Sequence, residues 1–218
     1  TLTPATLAKN YTITYVKGTL TVTKNATLTV KGTNYNNTYD GASHGTAATA
    51  NVTAGTTISY SVDDGEWTTE VPTIKDVGTK TVKVRATNPN YDAAETEYTL
   101  TVTAREVELT ADSDSKAYNG TPLTNSGYSI TKGSFVDGEG LASVTVEGSQ
   151  TNVGSSDNTI TGHTLTPATL AKNYTITYVK GTLTVTASSE LTVEGTDYNN
   201  TYDGASHGEA ATASVPDA

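Results

Sequence analysis

The segment Tyr35 to Gly45, YNNTYDGASHG, places Asp40, Ser43 and His44 in one short stretch, and it recurs as Tyr198 to Gly208 with Asp203, Ser206 and His207. Acid, hydroxyl and imidazole are the parts of a hydrolytic triad. A triad needs the base on the nucleophile and the acid on the base, normally from separated stretches of chain. Neighbours in one turn, duplicated along the chain, are read instead as turn residues. The histidines are His44, its copy His207, and His163. A zinc site requires three or four convergent ligands in one fold, so these three are assigned to turns and surface. Acidic density peaks at Asp63-Asp64-Gly65-Glu66 and at Asp112-Ser113-Asp114. Hard oxygen clusters of this kind hold calcium, which makes Asp112 and Asp114 the candidate pair for a bound cation. Neither run has the spacing of a dedicated loop, and solvated turn charge is the preferred reading. No other cofactor is expected. Trp67, beside Asp64 and Glu66, has the composition of a carbohydrate platform and is the candidate ligand contact. Tyr supplies 13 aromatic residues against one Phe and one Trp. Of these, Tyr11, Tyr15, Tyr91 and Tyr98 are expected in the core, with their hydroxyls reaching the surface.

The residues around these candidates read as strands joined by turns. Apolar and Thr residues alternate at Tyr11, Ile13 and Tyr15, at Leu20 and Val22, at Leu28 and Val30, and at Val82 and Val84. Period two with β-branched and aromatic enrichment is a strand signal. Asp or Asn followed by Gly punctuates the chain at residues 40–41, 64–65, 119–120, 137–138 and 203–204. There the acidic or amide side chain closes a local turn and Gly supplies the unusual dihedral. Asn10 to Thr23 is predicted to be a hairpin around Lys17-Gly18, and its copy Asn173 to Thr186 a hairpin around Lys180-Gly181. Little helix is expected, with Leu165 to Lys172 the best short turn because Pro167 suits a first helical position.

Composition narrows the function classes. The chain has 13 basic and 23 acidic residues, a formal charge of −10 and a pI near 4.6. Phosphate binding needs basic patches, so nucleic acid is not expected as a partner. Without Cys or Met there is neither a disulfide framework nor a thiolate metal site. No apolar run approaches the eighteen or so residues of a membrane helix, so no membrane insertion is expected in this segment.

Self-similarity organises the whole chain. Residues 164 to 218 repeat residues 1 to 55 without a gap, with 44 identities in 55 positions, and Thr1 to Thr23 recurs letter for letter as Thr164 to Thr186. A weaker echo has about half that period. Tyr39-Asp40-Gly41 matches Tyr118-Asn119-Gly120, Asp76-Val77-Gly78 matches Asn152-Val153-Gly154, and the run Tyr98 to Val102 matches Gly181 to Val185. The expected organisation is therefore an alternating array of two unlike modules. The closing hairpin of a truncated B-type module spans 1–23, an A-type module 28–103, a B-type module 106–186, and the first part of another A-type module 191–218. The short links between modules predict a semi-rigid array, and the two partial modules are expected to fray, pack on a neighbour or swap.

The Tyr39 to Gly41 motif, the Asp76-Val77-Gly78 that precedes a strand, the run Ala86 to Tyr91 (ATNPNY) and the ending NYTITYVKGTLTVT of Asn10 to Thr23 resemble the MBG-type (mostly β, glycine-rich) and YDG-type tandem repeats of bacterial cell-surface adhesins. The resemblance implies all-β, Ig-like or β-sandwich-type modules in an elongated array, outside the cell at the bacterial surface or wall. It carries over no catalytic residue. Asn119 in place of Asp40 means that the Asp carboxylate is not essential to both module types. The expected function is a non-enzymatic stalk or spacer whose partners are the neighbouring modules of its own chain. One alternative is a β module that binds glycan or host surface protein through Trp67 and nearby tyrosines. Another is an accessory region of a surface enzyme.

Overall fold

The computed structural model describes residues 10–188, 191–208 and 210–214; expectations for residues 1–9, 189–190, 209 and 215–218 lie outside the described residues. The described chain is all-β. In chain order its strands are β1 (Val30–Lys31), β2 (Tyr35–Thr38), β3 (Thr49–Ala50), β4 (Thr57–Val62), β5 (Gly78–Asn88), β6 (Tyr91–Thr103), β7 (Arg105–Ala111) and β8 (Asp114–Ala117). They continue with β9 (Tyr128–Gly133), β10 (Leu141–Glu147), β11 (Gly154–Leu165), β12 (Tyr174–Val179), β13 (Gly181–Thr186), β14 (Thr192–Glu194) and β15 (Thr212–Ser214). The turn expected over Leu165 to Lys172 shrinks to a 3-10 turn at Ala171–Asn173, because β11 runs on through Leu165.

Two compact units emerge among the described residues, one drawn from 10–33, 47–72 and 81–98, the other from 34–46, 73–80, 99–188, 191–208 and 210–214. In the first, β4 and β5 pair antiparallel from Thr57↔Thr87 to Val62↔Val82. Alternation along β5 turns Val82, Val84 and Ala86 inward, where Leu28, Ala48, Tyr60 and Tyr98 are also buried. The period-two pattern thus sorts one face inward and leaves Lys83 exposed on the other.

In the second unit, one sheet has the order β10-β11-β13-β8 and another β12-β7-β9. Val107, Leu109 and Ala111 of β7 are fully buried, as are Leu183 and Val185 of β13, which cluster with Leu123. The half-period echo has a structural counterpart. The end of β6 pairs parallel with β2, Leu100↔Tyr35 to Thr103↔Thr38, as β13 pairs parallel with β8, Leu183↔Asp114 to Thr186↔Ala117. Each pairing is capped alike: the Tyr39 amide donates to the Thr103 carbonyl at 2.9 Å, and the Tyr118 amide to the Thr186 carbonyl at 2.8 Å. Five residues on, His44 bridges Ile74 and Leu123 bridges Gln150.

Two sequence expectations are corrected. Asn173 to Thr186 is not a hairpin, since β12 pairs parallel with β7 while β13 pairs antiparallel with β11 and parallel with β8. Lys180-Gly181 is a crossover between sheets. Gly181 is needed for close approach, because a Cβ there would lie 2.4 Å from the Asp112 carbonyl oxygen. The identical Asn10 to Thr23 contains no strand at all. Leu20 is 94% exposed where Leu183 is 0%, and Val22 is 91% exposed where Val185 is 1%. Burying such a side chain is worth about 1.5–3 kcal/mol, and that gain exists only where β7, β8 and β11 surround the segment. Residues 198–201 differ in the same way from β2, their copy: they form no strand, although β14 and β15 do pair, Thr192↔Ser214 to Glu194↔Thr212.

The third correction concerns tyrosines. Tyr98 is buried as expected and Tyr91 is half-buried, but Tyr11 and Tyr15 are exposed. The buried tyrosines are instead Tyr39, Tyr60, Tyr98 and Tyr174.

Candidate functional site

Trp67, Asp64 and Glu66 lie on the segment that follows β4, where Thr68 returns to bridge Tyr60 through a pair of backbone hydrogen bonds of 2.7 and 2.8 Å. Trp67 is exposed, and the Arg85 guanidinium sits 4.4 Å from its ring centroid. Arg85 is held in turn by Glu95 at 2.6 Å. One face of the indole is therefore covered by a cation of its own chain, an arrangement favoured by the ring quadrupole. The Asp64 carboxylate pairs with Lys83. The turn itself differs from expectation: Asp63 and Asp64 hold φ of 48° and 63°, with the Gly65 amide donating to the Val62 carbonyl at 2.9 Å. Positive φ at both central positions defines a type I′ turn, with acidic residues where Asn-Gly is usual.

His44 Nε2 lies 2.9 Å from both carboxylate oxygens of Asp40, and the imidazole stacks on Tyr35 at 5.0 Å. The copy repeats this, with His207 Nε2 2.6 Å from Asp203 and stacked on Tyr198 at 4.6 Å. The imidazole hydrogen bond, with the Ala42 amide second, holds the Asp40 carboxyl below its ordinary range. Asp40 also caps its own turn through that amide, and Asp203 does the same through Ala205. Both copies thus pair the acid with the imidazole in a turn that the acid caps. His163, on β11, contacts the Tyr178 hydroxyl of β12. Of the calcium candidates, Asp112 engages the Gly127 carbonyl through its amide and Asp114 accepts from the Ser115 amide. Among the described residues no three acidic or histidine side chains converge as a metal centre, and no helix is long and apolar enough to cross a membrane.

A different cluster stands out in the second unit, and it joins residues of the predicted A-type stretch to residues of the B-type stretch. Tyr39, only 2% exposed, donates its hydroxyl to Glu139 Oε1 at 2.6 Å, and Tyr174 donates to Glu139 Oε2 at 2.7 Å. The Tyr174 oxygen also accepts the Val136 amide at 3.0 Å. The two tyrosine rings meet edge to face at 5.7 Å, and Phe135 packs on Tyr174 at 4.9 Å, within the range of favourable aromatic pairs. Burial raises both hydroxyls to a pKa of about 12, reinforced by the Glu139 hydrogen bond and negative charge. Gly41, at φ +81°, lies so close to Val136 that a Cβ would come within 2.5 Å of its Cγ1.

A second tie runs beside it. Fully buried Asn173 accepts the Val77 amide at 2.9 Å and donates to Asp76 Oδ1 at 3.1 Å, while Lys172 reaches Asp76 Oδ2 at 3.2 Å. The Asn173 hydrogen bond first, and Lys172 second, hold the Asp76 carboxyl below its ordinary range. Charge-assisted bonds of this kind are roughly twice as strong as neutral ones. Sequence reasoning missed the cluster because its partners lie far apart: Tyr39 and Glu139 are separated by 100 residues. The available signal was weak, namely that the Asp76-Val77-Gly78 and Tyr39-Asp40-Gly41 motifs both belong to the repeated framework.

Chemically the cluster is a clamp. Its tyrosines are held protonated, and its central carboxylate has an oxygen committed to each hydroxyl. Compared with family models and with curated proteins, the chain matches none.

Proposed function

We propose that this chain is a non-enzymatic stalk or spacer segment of a bacterial cell-surface adhesin-like protein, in which tandem Ig-like modules form an elongated array outside the cell. The observation that carries the reading is the 163-residue repeat, whose identity runs through strands, turns and links alike. A catalytic or binding site concentrates constraint on a few positions; a structural array copies whole modules. The Tyr39–Glu139–Tyr174 clamp and the Asn173–Asp76 tie, both inside the second compact unit, support it by tying residues of the 28–103 stretch to residues of the 106–186 stretch. Acidic charge keeps neighbouring rods soluble and apart. With strands of about seven residues at about 3.3 Å each, one module spans roughly 25 Å plus turns, and many copies span hundreds of ångströms. The test is small-angle X-ray scattering on proteins with one, two and three copies of the 163-residue repeat. Equal increments in maximum dimension support a spacer; compact particles whose size rises with the cube root of mass refute it.

A second reading is a module that binds glycan or host surface protein through Trp67, with Asp64 and Glu66 alongside. The exposed edge of the chain's one indole favours it. Saturable binding on a glycan array, lost in Trp67→Ala, would replace the pure-spacer reading.

A further inference from the structure

The turn after β8 places a cation where it meets no anion. Tyr39-Asp40-Gly41 and Tyr118-Asn119-Gly120 are counterparts, and in each the middle side chain caps the amide two residues on, Ala42 at 2.9 Å and Thr121 at 3.1 Å. The Asp40 carboxylate is partnered by His44. In the other turn the Lys116 ammonium donates to the neutral Asn119 Oδ1 at 2.8 Å, and to the Thr121 carbonyl and hydroxyl, both at 2.7 Å. The Thr121 hydroxyl donates to the same Asn119 oxygen at 2.8 Å. One exposed amide oxygen thus accepts three hydrogen bonds, one of them from a full positive charge. Asn119-Gly120 is also the one Asn-Gly pair in the sequence. Gly120, at φ +79°, stands in open space, since an added Cβ would meet no atom within 4 Å.

We infer that Asn119 is a self-modification site, whose amide is converted to a carboxylate by attack of the Gly120 backbone nitrogen and then of water. The Gly120 nitrogen gives up its proton and bonds to Asn119 Cγ. The Cγ–Nδ2 bond breaks, and ammonia leaves with that proton, closing a five-membered imide. Water then adds to Cγ, the new Cγ–N bond breaks, and the nitrogen regains a proton, which leaves an aspartate side chain at position 119. Negative charge develops on Oδ1 in both steps, where Lys116 and Thr121 already donate, and preorganised donors aimed at a developing oxyanion lower its barrier. Attack by the adjoining residue needs no encounter, and glycine leaves the nucleophile uncrowded. Because the donors hold the side-chain carbonyl, water is directed there and not to the backbone carbonyl, so the product is aspartate and not isoaspartate. The new carboxylate meets the waiting ammonium in a charge-assisted bond, as Asp40 meets His44. The turn thereby acquires, without an enzyme, the acid that its counterpart carries in its sequence. Asn125 supplies the contrast: it caps the Gly127 amide at 2.7 Å, but Ser126 follows it, and among the described residues no ammonium donates to its Oδ1.

The test incubates the full, folded chain in mildly alkaline buffer made with heavy-oxygen water and follows it by peptide mass spectrometry. The expected result is replacement of the Asn119 amide by a carboxyl that carries one heavy oxygen, with aspartate exceeding isoaspartate and Asn125 unchanged over the same period. Lys116→Met keeps the length of the side chain and removes its charge. It should slow the conversion about tenfold, less than the loss on removing a donor from a closed oxyanion site, because Asn119 is exposed. Lys116→Arg, which restores the charge, should recover most of the rate. A further readout uses the unmodified sequence alone: in urea, where the donors are no longer held on Oδ1, the isoaspartate share should rise. No conversion at residue 119 in the folded chain, an isoaspartate majority there, a product ratio unchanged by urea, or equal rates in Lys116→Met and the unmodified chain would each overturn the inference.

Discussion

The clamp makes a quantitative prediction through Tyr39→Phe and Glu139→Ala. Tyr39→Phe removes one hydroxyl that donates to a carboxylate at 2.6 Å while keeping the ring, its edge-to-face contact with Tyr174 and its burial. A hydrogen bond to a charged group contributes about 1.5–3 kcal/mol. Glu139 keeps its bond to Tyr174 at 2.7 Å and is only half-buried, so water restores part of the loss, and the expected cost is about 1.5–2 kcal/mol. Glu139→Ala removes both bonds and leaves the buried Tyr39 hydroxyl without its acceptor; the Tyr174 hydroxyl retains the Val136 amide. The expected cost is about 3–4 kcal/mol by the same scale. Because both variants delete the same Tyr39–Glu139 bond, the double variant should cost less than the sum by about 1–2 kcal/mol, the signature of direct coupling. Urea denaturation at pH 7 followed by far-ultraviolet circular dichroism measures all three. Hydrogen exchange at the Val136 amide localises the effect, since its acceptor is the Tyr174 hydroxyl. A Tyr39→Phe cost under about 0.5 kcal/mol, or strict additivity in the cycle, would show that the tyrosines and Glu139 do not act as a clamp.

Alkaline pH should weaken the same cluster: folding holds the tyrosine protons up to about 12, while the unfolded chain loses them near the ordinary value of 10.0. The linked stability is complete below about pH 10 and is lost as pH rises toward about 12. Titration of tyrosinate absorbance alongside urea midpoints checks this, with Tyr39→Phe flattening the loss. At the acid end the Asp76 carboxyl is held low by Asn173 and Lys172, so its contribution is present above about pH 4 and disappears as pH falls below that value; Asn173→Ala should reduce the acid sensitivity in midpoint measurements. Gly41→Ala and Gly120→Ala both force a side chain into positive φ, at roughly 1 kcal/mol each, but only residue 41 also meets Val136. Denaturation midpoints should therefore place Gly41→Ala as the more damaging by about a further 1 kcal/mol or more. Asp64→Gly should stabilise the chain by about 0.5–1 kcal/mol, because glycine takes the 63° φ without strain, and the exposed Lys83 pair it removes is worth little; a lower melting temperature would contradict this.

What the sequence made legible follows from how local each cause is. Period-two alternation located β5 at Val82 and Val84 and, through the copy of Leu20 and Val22, β13, and the Tyr-Asp-Gly echo led to the matching caps at Tyr39 and Tyr118, because both signals reside in adjacent residues. The Asp40 and Asn119 turns were equally local, each side chain capping an amide two residues on. Lys180-Gly181 was misread as a hairpin turn since glycine serves positive φ and close approach alike, and only the Asp112 carbonyl distinguishes them. Asn10 to Thr23 shows the limit most plainly: a segment identical to β12 and β13 forms no strand, so tertiary partners, not propensity, decide its state. The clamp was invisible for the same reason, as nothing near Tyr39 announces a carboxylate at residue 139. Trp67 was picked out by composition, but the guanidinium over its face comes from a neighbouring strand.

If these modules serve as a spacer, their junctions must resist bending, and the length of the array must follow the number of copies. Small-angle scattering of proteins with one, two and three copies of the 163-residue repeat reads both properties, with Glu139→Ala introduced in every copy as the comparison. The expected maximum dimension grows in equal steps in the unmodified series, and by a smaller, less regular increment once the clamp is removed. Particles that stay compact as copies are added, or growth unaffected by Glu139→Ala, would contradict a clamped spacer.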